Sequence, residues 1–328
     1  MARRHDRNES HTILVTGGAG FIGCWLVRAL LLRGYRVRVL DDLSTGNLAN
    51  LPTHPWLEVL EGDVVSPEDV FRAAQGAFLL VHLAAVVGVR LAHAQAGRAY
   101  SVSVDSARNV LAAAQGPVVL ASSSAVYGLT RCGEAREDHE IDERSVLAYD
   151  GGAVGCALGK WHAECLARDA VSRGHEVVVL RLFNTVGPRQ SDRYGMVLPT
   201  FVRAALAGKP LMVHGDGLQT RCFSDVHTVT ETILRLAVDN KRRDTSVFNI
   251  GSDAPVSIID VARMVIEETG SSSSIVHVPY AEIFPGREDV RWRRPDTSRL
   301  QQTVGPVHWP DIRSMVKEVI AWEEREQL

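Results

Sequence analysis

The sequence predicts an α/β fold in which a doubly wound parallel sheet carries a smaller C-terminal lobe. From Thr12 to Arg181, short β-branched runs alternate with segments of helical periodicity, which is the pattern of repeated βαβ units. The apolar runs are TILVT, YRVRVLD, LEVLEGD, FLLVHLAA, VVLASSS and VVVLRLF. Segments 22–33, 99–115 and 157–173 carry helix-period apolar residues without internal proline, so we expect them to cover the sheet.

The composition is typical of a globular protein that acts on small molecules. The 328 residues are 45% hydrophobic and carry a net charge of −3, which gives no basic surface for nucleic acid or a membrane. The five cysteines have neither metal-ligand nor disulfide spacing, so we expect no metal site and a reducing compartment. Because no signal-peptide core or membrane-length apolar run is found, we expect a cytoplasmic protein.

A glycine-rich turn follows the first predicted strand. In TILVTGGAGFIG, Gly17, Gly20 and Gly23 have GxxGxxG spacing between an apolar strand and the start of a helix. Such a turn brings the backbone close to the pyrophosphate of a dinucleotide, and the helix N-terminus offers N–H groups to the anion. Asp41 ends the second strand, where a carboxylate accepts hydrogen bonds from the adenosine ribose and repels a 2′-phosphate. The sequence therefore predicts NAD, rather than NADP, as the cofactor.

The remaining cofactor contacts are predicted around this turn. Asp41 and Asp42 have loop capping as the alternative role, and Asp63 either faces the adenine or only forms a turn. The predicted cofactor-binding residues are Gly17, Gly20, Phe21, Ile22, Gly23, Asp41, Asp42, Asp63, Val64, Leu83, Ala84 and Lys160. We expect a flexible N-terminus over 1–10, a Rossmann-type NAD-binding domain over 11–183, and mainly a substrate-binding lobe, intimately joined to it, over 184–328.

Motifs along nearly the whole chain resemble the extended short-chain dehydrogenase/reductase family. They are, in chain order, TGGAGFIG, LDDLSTGN, GDV, HLAA, SSSAVYG, the lysine at 160, RLFNTVGPR and RRPD. The resemblance is closest to the NAD-dependent nucleotide-sugar epimerases, dehydratases and decarboxylases, the UDP-glucuronate decarboxylases among them. It implies a nucleotide-sugar substrate and a homodimer formed through the helices around 99–115 and 157–173, whose apolar faces otherwise leave an exposed patch.

One position departs from the family pattern. In the family a tyrosine lies one helical turn before the lysine and takes a hydroxyl proton as hydride leaves for the cofactor. Here the stretch GCALGK puts Cys156 in that place, four residues before Lys160. Three interpretations stay open. Cys156 acts as the acid/base on a deeper substrate; Tyr149, His162 or Ser123 takes that role; or the chain binds NAD and a sugar nucleotide without hydride chemistry.

The serine-rich end of VVLASSSAVYG bears on the type of reaction. By resemblance, Ser123 offers its hydroxyl to the sugar, while Ser124 and Ala125 stand where dehydratases carry an Asp-Glu pair and decarboxylases a Glu. Because elimination or proton relay needs such an extra acid, epimerisation is the expected reaction. A decarboxylase or dehydratase of the same fold is the alternative.

The resemblance also places the substrate contacts. Guanidinium groups match the oxygens of a diphosphate, which favours Arg221 and Arg293 and, more weakly, Arg287. The predicted substrate-binding residues are Ser123, Ser124, Asn184, Arg221, Arg287 and Arg293, and the predicted catalytic residues are Ser123, Cys156, Lys160 and Tyr149.

Overall fold

The computed structural model describes residues 11–129, 134–139, 141, 143–149, 155–239, 246–285 and 290–326. The predicted flexible N-terminus, residues 1–10, lies outside these ranges, as does Arg287. Within them, every helix is too short or too polar to cross a membrane.

The strands lie between residues 12 and 295. They are, in chain order, β1 (Thr12–Thr16), β2 (Arg36–Asp41), β3 (Leu57–Glu61), β4 (Ala77–His82), β5 (Val118–Ser123), β6 (Glu134–Ala135), β7 (Val177–Leu182), β8 (Thr185–Val186), β9 (Leu211–His214), β10 (Thr220–Cys222), β11 (Ser224–Asp225), β12 (Val247–Ile250), β13 (Pro255–Ser257), β14 (Ile275–Val278) and β15 (Arg294–Pro295).

The helices alternate with these strands. They are α1 (Phe21–Leu32), α2 (Pro67–Ala74), α3 (Val89–Ala94), α4 (Ala96–Ala113), α5 (Glu143–Tyr149), α6 (Cys156–Ser172), α7 (Val197–Leu206), α8 (Val226–Leu234), α9 (Ile258–Thr269), α10 (Tyr280–Ile283), α11 (Ser298–Val304) and α12 (Ile312–Glu326). The three helices expected over 22–33, 99–115 and 157–173 are α1, α4 and α6.

Seven strands form the central sheet, in the order β12-β7-β5-β4-β1-β2-β3. Every neighbouring pair is parallel, which confirms the doubly wound parallel sheet. The strand order reverses between β1 and β4, and ligands bind in the crevice at the carboxyl ends of strands at such a point. The last strand, β12, comes from residues 247–250, beyond the predicted domain boundary at 183.

Apolar layers cover both faces of the sheet. Because successive strand side chains point to opposite faces, Ile13 and Val15 pack against one layer and Leu14 against the other. The first layer includes α1 and α8, which contribute Leu26 and Ile233, and the second includes α2, α4 and α6. Each fully buried Leu or Ile contributes about 1.5–3 kcal/mol to folding, so this packing holds the strand ends in fixed positions.

The C-terminal lobe packs around a core of its own. α7, α9 and α12 contribute Phe201, Val261 and Val316 to it, beside the strand β9. The side chain of Ser257 caps α9 by accepting the N–H of Asp260. This core positions the loops that face the carboxyl ends of the central strands.

Candidate active site

A cavity of about 940 Å³ extends from the carboxyl ends of the central strands into the C-terminal lobe. Among the residues that line it are all the predicted site residues that the structure describes. They are Gly17, Gly20, Phe21, Ile22, Gly23, Asp41, Asp42, Asp63, Val64, Leu83, Ala84, Ser123, Ser124, Tyr149, Cys156, Lys160, Asn184, Arg221 and Arg293. The fold therefore brings these residues together, while their individual roles remain predictions.

The glycine turn has a backbone shape that other residues would not fit. Gly17 has a φ of +70°, and a Cβ added there would lie 2.7 Å from the backbone nitrogen of Ala84. A Cβ at Gly23 would lie only 2.1 Å from the carbonyl oxygen of Gly17. The missing side chains leave a cradle at the N-terminus of α1, which fits the pyrophosphate of NAD.

Asp41 lies at the end of β2 and is only 6% exposed. Its Oδ2 accepts the N–H of Ala19 and its Oδ1 that of Leu43, both at 2.9 Å. Burial raises the pKa of Asp41, and these two hydrogen bonds oppose that rise. Each carboxylate oxygen has a second lone pair, so Asp41 keeps acceptors for the ribose hydroxyls of the cofactor.

The other two aspartates both accept hydrogen bonds from their own loops. The Oδ1 of Asp42 accepts the N–H of Ser44 at 3.0 Å and its hydroxyl at 2.6 Å. Asp63 follows the end of β3 by two residues and accepts the N–H of Val65 at 2.8 Å. Both therefore also act as turn formers, the alternative that the sequence left open.

Cys156 and Lys160 lie one turn apart at the start of α6, and both line the cavity. The Nζ of Lys160 donates a hydrogen bond of 2.7 Å to the carbonyl oxygen of Ala121. Burial lowers the pKa of Lys160. The Sγ of Cys156 lies 3.8 Å from the carbonyl oxygen of Val86, which also lines the cavity.

A buried histidine behind this site was missed by the sequence reasoning. The Nδ1 of His82 lies 2.7 Å from the Oγ1 of Thr16, and its Nε2 lies 3.0 Å from the Oγ of Ser106. Complete burial, with a smaller contribution from Lys160, lowers the pKa of His82 to about 3. His82 is therefore neutral, and its place in the HLAA motif was the available signal.

A second missed feature is a buried polar network beneath α6. Arg181 on β7 pairs with Glu164 through Nε–Oε1 and Nη2–Oε2 distances of 3.0 and 2.7 Å. Ser122 donates to Oε1 of Glu164 at 2.5 Å, and Nη1 of Arg181 donates to the hydroxyl of Tyr127 at 3.0 Å. The signal in the sequence was Glu164, one helical turn after Lys160. The network fixes the distance between α6 and the sheet.

Ser123, Tyr149 and Arg293 also line the cavity. The Oγ of Ser123 accepts the N–H of Ala125 at 3.1 Å, so its hydroxyl proton is available to a substrate oxygen. Tyr149 is the last residue of α5, and the guanidinium of Arg293 lies 4.8 Å from the centre of its ring. Arg293 also donates to the carbonyl oxygen of Gly128 at 2.6 Å.

The two other predicted substrate contacts are held by backbone carbonyls. Nη1 of Arg221 donates to the carbonyl oxygen of Val290 at 2.6 Å, and Nδ2 of Asn184 donates to that of Cys222 at 3.0 Å. An apolar wall of the same cavity was not predicted, because its residues belong to no motif that was assigned to the site. That wall includes Met196, Phe201, Met212, Phe223, Ile258 and Phe284.

His162, the least favoured candidate base, lies away from the cavity. Its Nδ1 is 2.9 Å from the hydroxyl of Tyr100 on α4, and it is absent from the cavity lining. Two residues after Lys160 on the same helix, it faces away from that side chain. The position therefore gives no support for a role of His162 in proton transfer.

The glycine cradle and the carboxylate at the end of β2 suit NAD, and the family that the sequence matches is NAD-dependent. Residues 13–251 match the model of the NAD-dependent epimerase/dehydratase family. The chain belongs to this family. Its cofactor is NAD, and enzymes of the family act on nucleotide sugars.

Individual relatives agree with this membership. A UDP-N-acetyl-alpha-D-glucosaminuronate decarboxylase of Bacillus cytotoxicus is 34% identical, over 94% of this chain and 96% of its own. The crystal structure of UDP-glucose 4-epimerase from Thermotoga maritima, with UDP-glucose, has a TM-score of 0.85 at 25% identity, over 97% of this chain and 100% of its own. MoeE5 in complex with UDP-glucose and NAD has a TM-score of 0.82 at 29% identity, over the same two shares. This family member therefore resembles both decarboxylases and epimerases.

Proposed function

We propose that this chain is an NAD-dependent epimerase of a nucleoside-diphosphate sugar. A carbinol of the sugar is oxidised to a ketone, and the ketone is reduced again on its opposite face. NAD supplies the hydride acceptor and the hydride donor. The cradle at Gly17 and Gly23 holds the cofactor, and Arg221 and Arg293 bind the diphosphate of the substrate.

The observation that carries this proposal is the methyl group of Ala125. Ala125 lines the cavity two residues after Ser123, where dehydratases and decarboxylases of the family carry an acid. Of the described lining residues, the carboxylates are Asp41, Asp42 and Asp63, which lie at or just after the ends of β2 and β3. No described carboxylate therefore stands at the reaction end to act in an elimination or a proton relay.

A second candidate is decarboxylation of a nucleotide-linked hexuronate. The 34% identity to a UDP-N-acetyl-alpha-D-glucosaminuronate decarboxylase favours it. Oxidation of the carbon β to a carboxylate gives a β-keto acid, and loss of carbon dioxide leaves an enolate that must take up a proton before the ketone is reduced. Both candidates thus begin with the same oxidation, and only the fate of the ketone differs.

The test is a panel of UDP-, GDP- and dTDP-linked hexoses and hexuronates, given to the purified protein with its bound NAD. Mass spectrometry separates a product of unchanged mass from one that has lost carbon dioxide, and NMR identifies the inverted carbon. An epimer supports the main proposal, and loss of carbon dioxide replaces it with the second candidate. Bound NAD that no sugar nucleotide reduces overturns both.

The diphosphate contact has a matched control in neighbouring residues. Arg293 lines the cavity, whereas Arg294 is exposed and lies 3.4 Å from Asp253. Arg293→Met should weaken the binding of the nucleoside diphosphate about 10- to 100-fold, since hydrogen bonds to charged groups contribute about 1.5–3 kcal/mol. Arg294→Met should change it less than about twofold. Calorimetric titration with UDP measures both affinities. Equal effects of the two substitutions would show that Arg293 does not bind the diphosphate.

A further inference from the structure

Lys160 is a buried amine for which the described residues provide no carboxylate partner. It is 6% exposed, and within the described part of the chain its one hydrogen bond goes to the carbonyl oxygen of Ala121. No aspartate or glutamate of that part forms an ion pair with it. An isolated ammonium in such surroundings is costly, because burial removes its water.

The nearest carboxylate is already neutralised by another residue. Glu164 lies one turn after Lys160 on α6, and both of its oxygens accept from Arg181. The hydroxyl of Ser122 also donates to Oε1. The charge of Glu164 is therefore matched by the guanidinium, and little of it is left to stabilise an ammonium at Lys160.

The remaining groups around Lys160 offset only part of the cost of burying its charge. His82 on β4 is neutral and buried, Arg181 on β7 is itself a cation, and Cys156 lies on the same helix. Burial lowers the pKa of Lys160, and the opposing effects of Cys156 and Glu164 are smaller. The site therefore favours a neutral amine.

We propose that Lys160 is itself the acid/base of this site, a step that rests on the proposed function. A neutral amine donates one N–H to Ala121 and keeps a lone pair for the substrate hydroxyl. As the carbinol C–H bond breaks and its hydride passes to NAD, the O–H bond breaks, the proton goes to Nζ and the carbonyl forms. On return, the hydride reaches the opposite face of that carbonyl, and the ammonium gives its proton to the oxygen.

The short side chain at 156 gives the amine its access. Cys156 lines the cavity one turn before Lys160, in the place where the family carries a tyrosine. A tyrosine ring there would fill space in front of the lysine and act as its intermediary. With cysteine, that space is part of the cavity. The substrate hydroxyl can therefore reach the amine of Lys160 directly, without a tyrosine between them.

A titration of the lysine itself tests the proposal without turnover. The chain has four lysines, at 160, 209, 241 and 317, so NMR of protein carrying isotope-labelled lysine gives few signals. The Lys160 signal is the one lost in Lys160→Arg. With NAD bound, we expect it to titrate below the ordinary lysine range. Titration within or above that range overturns the proposal.

Lys160→Arg also separates charge from proton transfer. Arginine retains an N–H donor for Ala121, but it stays protonated in proteins and so cannot accept the hydroxyl proton. We expect the variant to retain NAD, while reduction of that NAD by the sugar nucleotide falls about 10²- to 10⁴-fold. The exposed Lys209→Arg is the matched control and should keep the wild-type rate.

Lys160→Ala provides a second test in case the larger arginine side chain does not fit the buried site. In Lys160→Ala, added methylamine should restore part of the reduction, whereas guanidinium should not. Reduction that survives Lys160→Arg, or that is lost in Cys156→Ala or Tyr149→Phe instead, overturns this inference alone. No reduction by the wild-type protein with any sugar nucleotide overturns the proposed function and this inference with it.

Discussion

Arg181 and Glu164 form a two-point ion pair inside the protein, with side chains only 5% and 4% exposed. Burial by itself lowers the pKa of Arg181, but the hydrogen bonds and charge of Glu164 hold that pKa above its usual value. The pair joins β7 to α6, the helix that carries Cys156 and Lys160. Its integrity therefore affects the site as well as the stability of the fold.

Arg181→Met should lower the free energy of unfolding by about 3–5 kcal/mol, because it leaves the carboxylate of Glu164 buried and unpaired. The surface pair Arg173–Asp169, whose side chains are 64% and 58% exposed, provides the control. Arg173→Met should cost no more than about 0.5 kcal/mol. Urea denaturation measures both values, and equal losses would contradict the buried role.

Stability should fall steeply in acid because of His82. Its pKa is about 3 in the folded protein against about 6.5 in the unfolded chain, so between these pH values the unfolded chain binds a proton that the folded chain does not. The free energy of unfolding should therefore fall by about 1.4 kcal/mol for each pH unit below 6.5. Above pH 6.5, His82 should add no pH dependence. In His82→Gln this slope should decrease by that amount. Urea denaturation between pH 4.5 and 7 measures it, and parallel curves would refute the assignment.

The glycine turn should not tolerate a methyl group at Gly23. Because its Cβ would lie 2.1 Å from the carbonyl oxygen of Gly17, Gly23→Ala should lose bound NAD and about 1–3 kcal/mol of stability. Gly97 in α4 has open space around it, so Gly97→Ala should retain NAD and gain about 0.5–1 kcal/mol. NAD released on denaturation and thermal unfolding test the pair. A Gly23→Ala protein that still carries NAD would show that the turn adapts.

Asp41 should set the preference for NAD over NADP. Asp41→Asn removes the charge that repels a 2′-phosphate, so NAD should bind more weakly and the preference should narrow. Asp105→Asn serves as the control, since Asp105 lies on α4, pairs with Arg108 and is absent from the cavity lining. Calorimetric titration of cofactor-free protein with both dinucleotides gives the two affinities. An unchanged ratio in Asp41→Asn would assign the discrimination to another residue.

The outer faces of α4 and α6 should join two copies of the chain. The helices pack closely, since a Cβ at Gly159 would lie 2.9 Å from the Cα of Tyr100. Half-exposed Val104 and Leu166 are apolar residues on these helices. Light scattering should give a dimer at micromolar concentration, which Val104→Glu disrupts and the exposed Thr303→Glu does not. A monomeric wild-type protein would end this prediction.

Local patterns made the sheet and the cofactor turn predictable. The spacing of Gly17, Gly20 and Gly23 after an apolar strand leaves few backbone shapes open, and the turn has the expected one. Alternating strands and helices likewise specify a parallel sheet. The family resemblance then indicated residues that line the cavity, and the roles that it implies for them remain predictions.

Contacts between distant residues were not predictable in the same way. The hydroxyl of Tyr127 donates to Oδ1 of Asn249 at 2.7 Å across 122 residues of sequence, and neither residue carries a local sign of the other. The helix that ends at Tyr149 was not among the predicted helices, since it is only seven residues long and a glycine-rich run follows it. His82 looked like part of an apolar strand, since its polar partners come from β1 and α4.

The origin of β12 limits how this enzyme can be divided or recombined. The strand closes the edge of the central sheet beside β7, yet the chain reaches it only after β8 to β11 and the helices α7 and α8. A fragment that stops at 183 would expose the hydrogen-bonding edge of β7 and invite aggregation. A chimera made to change the substrate specificity must therefore replace two segments, one on each side of residues 247–250, instead of a single C-terminal half.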